Sequence, residues 1–580
     1  MDDNNTFDAE EFKKPKLKSI LINLLITLAV AAVAFYVTLP AINIHSKDFY
    51  GFVFLILAVY IVLSLLTAGK NSFSAPRSAI HYIRKTCKLP ALLLVLLVVV
   101  VLLGILSSAV FFRADAYSKL ITTETGDFAT DVTEISFDQI PMLDSASANV
   151  LTNRKLGELS DLVSQFEVDA TSAQINYKNR PVRVTYLNYG DFFKWWANRA
   201  EGIPAYMITD MVTQEVTVVR LDEGMHYSPS ELFNHNLMRH LRFQYPTLMF
   251  TDVNFEIDEE GHPWWVASVV DKTIGLFGGT DVVGAVLLDA VTGESTYYDV
   301  SDVPTWVDRV YNAELIIEQY DYHGLYIDGF WNSIFGQTGC TATTEGYNYI
   351  AQDDDVWLYT GITSVVGDQS NIGFILVNQR TKEAKYYAIA GAEEYSAMHS
   401  AQGAVQQYGY QATFPLLLNV SGQPTYFMAL KDSSSLVKMY AMVNVQQYQI
   451  VATGSSVMEC ESAYIALLQE NNIEVDESVL VDESLRFEAR GIVAEIRSAV
   501  LDGTTYYYFR LEEDPTYYRI SAATCENAIV VNVGDAVTIS GSSEATGGIR
   551  NADRIAYLES MGWQVEEEPV ETLQFLLPEK

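Results

Sequence analysis

The sequence predicts an α+β protein in which three N-terminal transmembrane helices carry an extracytoplasmic body of β-hairpin and helix repeats and a C-terminal β-barrel. Three observations support this prediction: uncharged apolar runs confined to the first 112 residues, a hairpin pattern that recurs in the middle of the chain, and short aromatic strands near its end. At 580 residues the chain is long enough for several domains.

The N-terminal 112 residues are predicted to form a membrane anchor. Three uncharged apolar runs are long enough to cross a hydrocarbon core of about 30 Å as helices; they are residues 20–39, 49–66 and 91–112. The loop 69–90 holds five Lys and Arg residues, whereas the loop 41–48 holds only Lys47. Because cytoplasmic loops carry the excess of Lys and Arg, we expect a cell-membrane protein with a cytoplasmic N-terminus and with residues 113–580 outside the cell.

The body after the anchor is strongly acidic. The chain has a net charge of −36, and residues 1–112 contribute +4 (10 Lys and Arg against 6 Asp and Glu), which leaves −40 for residues 113–580. Such a body repels nucleic acid and anionic lipid unless a local basic patch outweighs it, so no nucleic-acid partner is predicted. The cysteines are too far apart for a disulfide framework or a zinc site, and no cofactor or metal is predicted; they are Cys87, Cys340, Cys460 and Cys525.

Changes in composition and pattern divide the chain into segments. A stalk rich in Thr, Ser and Asp follows the anchor, α+β units form the body, and an acidic linker precedes a small barrel and an acidic tail. The predicted boundaries are 1–112 (anchor), 113–150 (stalk), 151–284, 285–372 and 373–470 (α+β units), 471–484 (linker), 485–560 (barrel) and 561–580 (tail).

An internal repeat organises the body. Residues 205–219, 285–298 and 373–387 each contain two strand-like runs joined by an Asp or Asn, two further residues and Thr-x-Glu. Short polar side chains at that spacing satisfy the amides of a hairpin turn and tolerate its backbone angles. The predicted turn residues are Asp210, Asp289 and Asn378, each three residues before Thr213, Thr292 or Thr381.

A helical pattern follows each of these hairpins. The capping box Ser-Pro-Ser-Glu at 228–231, with proline at the first helical position, predicts one helix start, and Pro304 predicts a second. The third helix is expected over 395–408, with Gly409 as its stop. A further amphipathic helix is predicted over 156–166, before the first unit's strands.

Two further hairpins, 255–270 and 415–430, close the first and third units. Neighbouring side chains of a strand point to opposite faces, so one tryptophan of an adjacent pair is expected in the core and the other at the surface. The predicted contact patch therefore consists of His262, Trp264 and Trp265.

The middle unit has a long loop, 330–355, in place of such a hairpin. Repeat proteins place specific function in insertions of this kind, so the loop is the candidate site of an alternative, enzymatic function. That function requires Asn332, Gln337 and Asp354 to converge with His323 in a cleft.

The turn Asp-Ala-Val-Thr-Gly-Glu at 289–294, among strand pairs and helices that span 205–432, resembles the PepSY family of extracytoplasmic modules. This resemblance implies binding or restraint of envelope peptidases, or assembly of surface components, and it carries over no catalytic residues. Over 156–452, with segments such as NRKLGELSDLVSQFEV and GFILVNQRTKEA, the chain is also similar to an uncharacterised family of membrane-anchored proteins of Gram-positive bacteria. That similarity implies a setting and no mechanism.

Residues 485–560 change to short strands with glycines at the turns and resemble an OB-fold barrel. Aromatic residues alternate here with Arg510 and Arg519, a pattern typical of stacking surfaces for nucleic acid or sugars. Residues 485–557 hold 7 Arg against 10 Asp and Glu, so ordinary barrel packing is favoured for these rings. The rings are those of Tyr506, Tyr507, Tyr508, Phe509, Tyr517 and Tyr518.

The sequence thus predicts a membrane-anchored binding or scaffold protein of the cell envelope that engages a partner protein or wall polymer. Two alternatives stay open: an envelope hydrolase or transferase with its site in 330–355, and the outer domain of a membrane complex. Ser435 and Lys438 match the Ser-x-x-Lys of penicillin-binding enzymes, but they lie between strand-like runs, whereas that motif begins a helix. No catalytic residue is assigned.

Overall fold

The computed structural model describes residues 17–72, 76–132, 140–352, 354–365, 370–473, 486–501, 504–522, 525, 527–542, 548–552 and 554–557. The chain divides into two units, Met1–Ser478 and Val479–Lys580. Most of the predicted acidic linker, from residue 474, and the whole acidic tail lie outside the described residues.

The anchor consists of three helices, α1 (Leu17–Thr38), α2 (Lys47–Ser72) and α3 (Pro76–Ser107). Each contains a stretch that is long and apolar enough to cross a membrane. The third span ends at Ser107, five residues before its predicted end, because Ala109 adopts an extended conformation (φ −66°, ψ 131°). A short helix, α4 (Val110–Tyr117), follows this kink.

The loop between α1 and α2 contacts the body. The Ile42 amide donates a hydrogen bond to the carbonyl oxygen of Pro246 (2.7 Å), and Arg242 Nε donates to the carbonyl oxygen of Leu39 (3.0 Å). These bonds hold the loop against the body. The side of the membrane on which the loop and the body lie remains a prediction from the distribution of Lys and Arg.

The described residues of the predicted stalk, 113–132 and 140–150, are instead packed against the body. Tyr117, Ile121 and Ile140 are buried, and the apolar area they remove from water holds the segment in place. The predicted helix over 156–166 is also wrong, because the helix starts earlier, capped by Asp144, and ends at Gly157. The described part of 113–168 contains β1 (Glu124–Thr125), α5 (Phe128–Asp131), α6 (Ser145–Gly157) and β2 (Phe166–Val168), and β2 pairs with a strand of the first sheet.

Four repeats, each an antiparallel sheet followed by a helix, make up the rest of the first unit within its described residues. The first repeat contains β3 (Ala173–Tyr177), β4 (Arg180–Tyr189), α7 (Phe192–Asn198), β5 (Ile203–Asp210), β6 (Val216–Met225) and α8 (Leu237–Gln244). The second contains β7 (Met249–Ile257), β8 (Pro263–Ile274), β9 (Gly278–Asp289), β10 (Ser295–Asp299) and α9 (Ala313–Tyr326).

The third and fourth repeats carry additional short strands. The third contains β11 (Thr341–Thr343), β12 (Asn348–Gln352), β13 (Asp355–Ser364), β14 (Ser370–Asn371), β15 (Gly373–Asn378), β16 (Ala384–Tyr387), β17 (Gly391–Ala392) and α10 (Glu394–Ala404). The fourth contains β18 (Gln411–Ala412), β19 (Leu416–Val420), β20 (Gln423–Lys431), β21 (Val437–Asn444), β22 (Val451–Gly454) and α11 (Val457–Glu470). Strand β1 pairs in parallel with β16, which ties the segment after the anchor to the third repeat.

The three predicted hairpin turns are present. Asp210 Oδ1 accepts hydrogen bonds from the amides of Val212 and Thr213, both at 2.8 Å. Asp289 and Asn378 accept from the corresponding amides two and three residues further on. The fourth repeat has a related turn at Asn444, which the sequence pattern missed because Thr-x-Glu is absent there.

The predicted unit boundaries are displaced by one hairpin. The boundary at 284/285 falls inside β9, because the second sheet already begins with β7 and β8. The two predicted hairpins at 255–270 and 415–430 are thus the opening strands of the second and fourth repeats. The third repeat has a matching hairpin, β12–β13; the sequence predicts a strand at β13, but β12 lies within the predicted loop 330–355.

Two helices begin later than their prolines predicted. Ser228 Oγ accepts from the Glu231 amide (3.2 Å) as a capping box requires, but the chain then turns at Phe233 (φ 53°) and α8 is capped by Asn236. The segment after Pro304 stays irregular until α9, because packing of its valines in the core outweighs local helix propensity. The third predicted helix is present as α10 but ends at Ala404, four residues early, and a separate 3-10 turn, Gln406–Tyr408, ends at Gly409 (φ 67°).

The second and third sheets are buried on both faces. In β8, Trp265 belongs to a core shared with the first repeat, and the next residue, Val266, belongs to a core shared with the third. In β13, Tyr359 belongs to the core shared with the fourth repeat, and its neighbour Leu358 belongs to the core shared with the second. This two-sided burial explains why these strands read as continuous apolar runs rather than as alternating patterns.

The second unit is a curved six-stranded sheet in its described part, ordered β27-β25-β24-β23-β26-β28. Its elements are β23 (Arg486–Leu501), β24 (Thr504–Leu511), β25 (Tyr517–Ser521), α12 (Asn527–Val530), β26 (Ala536–Ser542), β27 (Ile549–Asn551) and β28 (Arg554–Tyr557). Because β27 and β28 are consecutive in the chain yet lie at opposite ends of this order, the sheet curls back on itself. Phe509 and Tyr518 are buried in its core, and Tyr517 donates to Glu495 (2.8 Å).

Candidate functional site

The residues of the predicted contact patch are engaged with their neighbours. Trp265 is only 1% exposed, and its Nε1 donates to the carbonyl oxygen of Tyr227. Trp264 is half-buried and its Nε1 donates to Asp258 (2.9 Å). His262 Nε2 lies 3.1 Å from Asp289 Oδ1, at the repeated turn. Trp265 therefore lies in the core, whereas Trp264 is half-buried and not fully exposed at the surface.

The Asp289 carboxylate is stabilised in its charged form. Its burial alone would raise the pKa, but hydrogen bonds from the Thr292 amide and the His262 imidazole outweigh that effect. The pKa of Asp289 therefore lies below its ordinary value. His262 is in this way a structural partner of the turn.

The four residues expected to converge in an enzymatic cleft have separate local roles. His323 Nδ1 lies 2.7 Å from the carbonyl oxygen of Ser118. Asn332 accepts the Gln337 amide through its backbone carbonyl, within one turn of the long loop. Asp354 is exposed in the turn between β12 and β13 (φ 64°). None of them lines the cleft described next.

A polar cleft of about 400 Å³ lies where the first three repeats meet. Its walls come from the entry to the first sheet, from strands β4 and β7, from the segment that leads into α9, and from the residues before β12. The lining residues are Ser145, Ala170, Thr171, Ser172, Ala173, Val184, Tyr186, Asp252, Val253, Asn254, Phe255, Arg309, Glu314 and Tyr347.

A β-bulge shapes one wall of this cleft. The pairing of β7 with β8 shifts register between Phe250 and Val253, which leaves Asp252 outside the ladder. Bulges of this kind redirect side chains and occur next to functional sites. Asn312, the cap of α9, donates to Thr251 Oγ1 (3.2 Å) and so ties the bulge to the opposite wall.

Arg309 is held in the cleft by a buried carboxylate. Glu256, in β7, is fully buried and accepts the amides of Asp308 (2.9 Å) and Arg309 (3.2 Å). The guanidinium of Arg309 donates to the hydroxyl of Tyr349 (3.2 Å), and its Nε has no partner within the described residues. Arg309 is therefore fixed at its backbone and by its bond to Tyr349, and its side chain is part of the cleft lining.

Two carboxyl groups share this buried region. Burial raises the pKa of Glu256 to about 7, against the opposing effect of the Asp308 amide. Burial, and then the charge of Glu256, raise the pKa of Asp308 well above its ordinary value. Asp308 Oδ2 accepts the Asn176 amide (2.6 Å), which joins β3 to the segment before α9. These two carboxyl groups hold the segments beneath the cleft in place and are not among its lining residues.

The lining offers hydrogen-bonding groups of both kinds. Arg309 donates, while Asp252 and Glu314 accept, and the hydroxyls of three Ser and Thr residues do both. Among these lining residues there is no His or Cys to pair with a hydroxyl as general base or nucleophile. The lining can therefore form hydrogen bonds with a polar ligand.

Comparison of the chain with protein-family models and with curated proteins finds no match.

Proposed function

We propose that this chain is a membrane-anchored, extracytoplasmic binding protein of the cell envelope, and that its body engages a wall polymer. The observation that carries the proposal is the open polar cleft of about 400 Å³ at the junction of three repeats. Its volume is within the range of ligand-binding pockets. PepSY-like repeats, an OB-like second unit and a Gram-positive setting are part of the same proposal; the recurring sheet-and-helix repeats and the strand order of the second unit support the first two.

The chemistry of the lining favours a hydroxyl-rich polymer over a partner protein. Carboxylates such as Asp252 and Glu314 accept bonds from hydroxyl groups, and two tyrosines, Tyr186 and Tyr347, are also among the lining residues. The cleft is also too polar to resemble the apolar centre of a protein–protein interface. A polysaccharide segment matches both features.

The test is a binding measurement on the full chain in detergent micelles, because the body contacts the anchor through Ile42 and Arg242. Immobilised protein is incubated with soluble wall-polymer fragments, and the retained and released material is identified by mass spectrometry. We expect intact fragments to be retained, and Asp252→Asn with Glu314→Gln to weaken retention by about tenfold.

The matched control is Asp222→Asn with Glu223→Gln, which changes charge equally on the exposed part of β6. Retention by this control should equal that of the unmodified chain. Equal loss in both double variants would mean that net charge and not the cleft governs binding. Shortened fragments in the released material, absent from a blank resin, would instead support the hydrolase alternative.

A further inference from the structure

We propose that a second cleft, where the body meets the membrane anchor, binds the phosphate of an anionic lipid headgroup between Lys47 and Lys272. This site is distinct from the polar cleft between the repeats and does not depend on the function proposed for it. The cleft has a volume of about 400 Å³. Its walls come from the start of α2, the end of α3 and the β8–β9 turn of the second repeat.

The cleft lies at the level of lipid headgroups. Lys47 is the first residue of the second membrane-spanning stretch, and Ile105 lies two residues before the end of the third. The ends of membrane-spanning stretches lie at the border between hydrocarbon and headgroups. Lysine side chains at this border are well placed to reach phosphate groups.

The two lysines are not neutralised by the protein. Within the described residues neither ammonium is part of an ion pair, whereas Lys382, Lys431 and Lys119 each pair with an aspartate. The ammonium of Lys272 donates to the hydroxyl of Thr280 (2.6 Å), which is also in the lining. A phosphate between the two lysines would replace their mutual repulsion with two charge-assisted contacts.

One carboxylate, that of Glu318, shares the lining with the two lysines, and it accepts a hydrogen bond from Tyr322 (3.1 Å). Asp271 lies outside the lining and pairs with His45. Burial and the charge of Lys47 lower the pKa of Lys272 and outweigh the opposing charges of Glu318 and Asp271. The cleft is thus a local basic site on a body of high negative charge, which otherwise repels anionic lipid.

The other part of the lining is apolar, which favours a lipid over a free phosphate ion. Ile105, Val110 and Phe277 contribute aliphatic and aromatic surface to the cleft. The Phe277 amide donates to Ser108 Oγ (2.8 Å), so the β8–β9 turn is fixed to the end of the span. Apolar surface beside a cationic site fits the glycerol and first methylenes of a lipid.

The test uses the full chain in mixed micelles that contain equal amounts of phosphatidylglycerol and phosphatidylcholine. Lipid that stays bound after detergent exchange is counted by native mass spectrometry. We expect phosphatidylglycerol to be retained about tenfold more than phosphatidylcholine, and this preference to disappear in Lys47→Gln with Lys272→Gln. Equal retention of the two lipids by the unmodified chain would overturn the proposal, whatever the variants do.

Two controls separate the site from general charge and from free phosphate. Lys119→Gln removes an exposed lysine close to the anchor that pairs with Asp115, and it should keep the preference. Lys272→Arg preserves the charge and should also keep it. Loss of the preference in Lys119→Gln, or release of the lipid by millimolar inorganic phosphate with no effect of chloride, would contradict a lipid site.

Discussion

The backbone amide of Arg309 donates a hydrogen bond to the buried carboxylate of Glu256, 3.2 Å away, although the two residues are 53 positions apart in the sequence. This contact fixes the segment before α9 against β7 and places the Arg309 guanidinium in the polar cleft. A buried acidic residue with a raised pKa therefore supports the candidate site from beneath, which makes the site's stability dependent on pH.

Glu256→Gln should reduce the dependence of stability on pH. Between about pH 4.5 and pH 7 the folded chain keeps the Glu256 proton, since its pKa is raised to about 7, while the unfolded chain has lost it. The free energy of unfolding of the unmodified chain therefore falls as pH rises through this window and levels off above it. Thermal unfolding of the full chain in detergent at about pH 5 and about pH 8 measures the effect.

In Glu256→Gln the difference between the two unfolding midpoints should be smaller than in the unmodified chain. Part of the difference between the midpoints should remain in this variant, because the pKa of Asp308 is raised as well. Glu223→Gln, on an exposed stretch of β6, is the control and should leave the difference unchanged. An identical difference in Glu256→Gln would show that this carboxyl does not titrate as inferred.

Asp289→Ala should destabilise the chain through the repeated turn. The substitution removes the acceptor of the Val291 and Thr292 amides and the partner of His262. We expect a loss of about 1–3 kcal/mol in the free energy of unfolding, measured by urea unfolding in detergent. Asp222→Ala, an exposed aspartate, should change it by less than about 0.5 kcal/mol. Equal effects would mean that the turn bonds add nothing to stability.

Trp331→Phe should reduce contact with lipid. Trp331 is 59% exposed in the long loop and lies 5.5 Å from Phe111, which follows the third span, and Phe335 beside it is 77% exposed. Exposed aromatic residues near a span are typical of the membrane interface. In nanodiscs with brominated lipid, tryptophan quenching should fall in Trp331→Phe. Trp196→Phe, with a similar exposure of 56% on α7, should not lower it.

Protease added to intact cells should digest the body and leave the anchor. Hydrogen bonds hold the α1–α2 loop against the body, and the five Lys and Arg residues of the loop 69–90 predict that the body faces outward. Immunoblotting of the full chain before and after lysis measures the cleavage. Protection of the body in intact cells, with digestion only after lysis, would reverse the topology.

Local signals were sufficient for the spans and for the repeated turns. An uncharged run of about 20 residues predicts a span without knowledge of its neighbours. Asp210, Asp289 and Asn378 accept amides only two and three residues away, so the spacing itself carried the information. The turn at Asn444 uses the same bonds without the Thr-x-Glu signal, and the fourth repeat was therefore missed.

The sequence by itself determined the three apolar spans, the acidic character of the body and the hairpin repeat, because each depends on composition or on residues close together in the chain. Only the tertiary structure decided that 113–132 and 140–150 pack on the body, that α9 begins at Ala313, and that residues from 145 to 347 form one cleft. The physical reason is that burial of apolar surface and long-range hydrogen bonds, such as that from the Arg309 amide to Glu256, outweigh local propensity. Both the burial and these bonds depend on which distant segments of the chain meet.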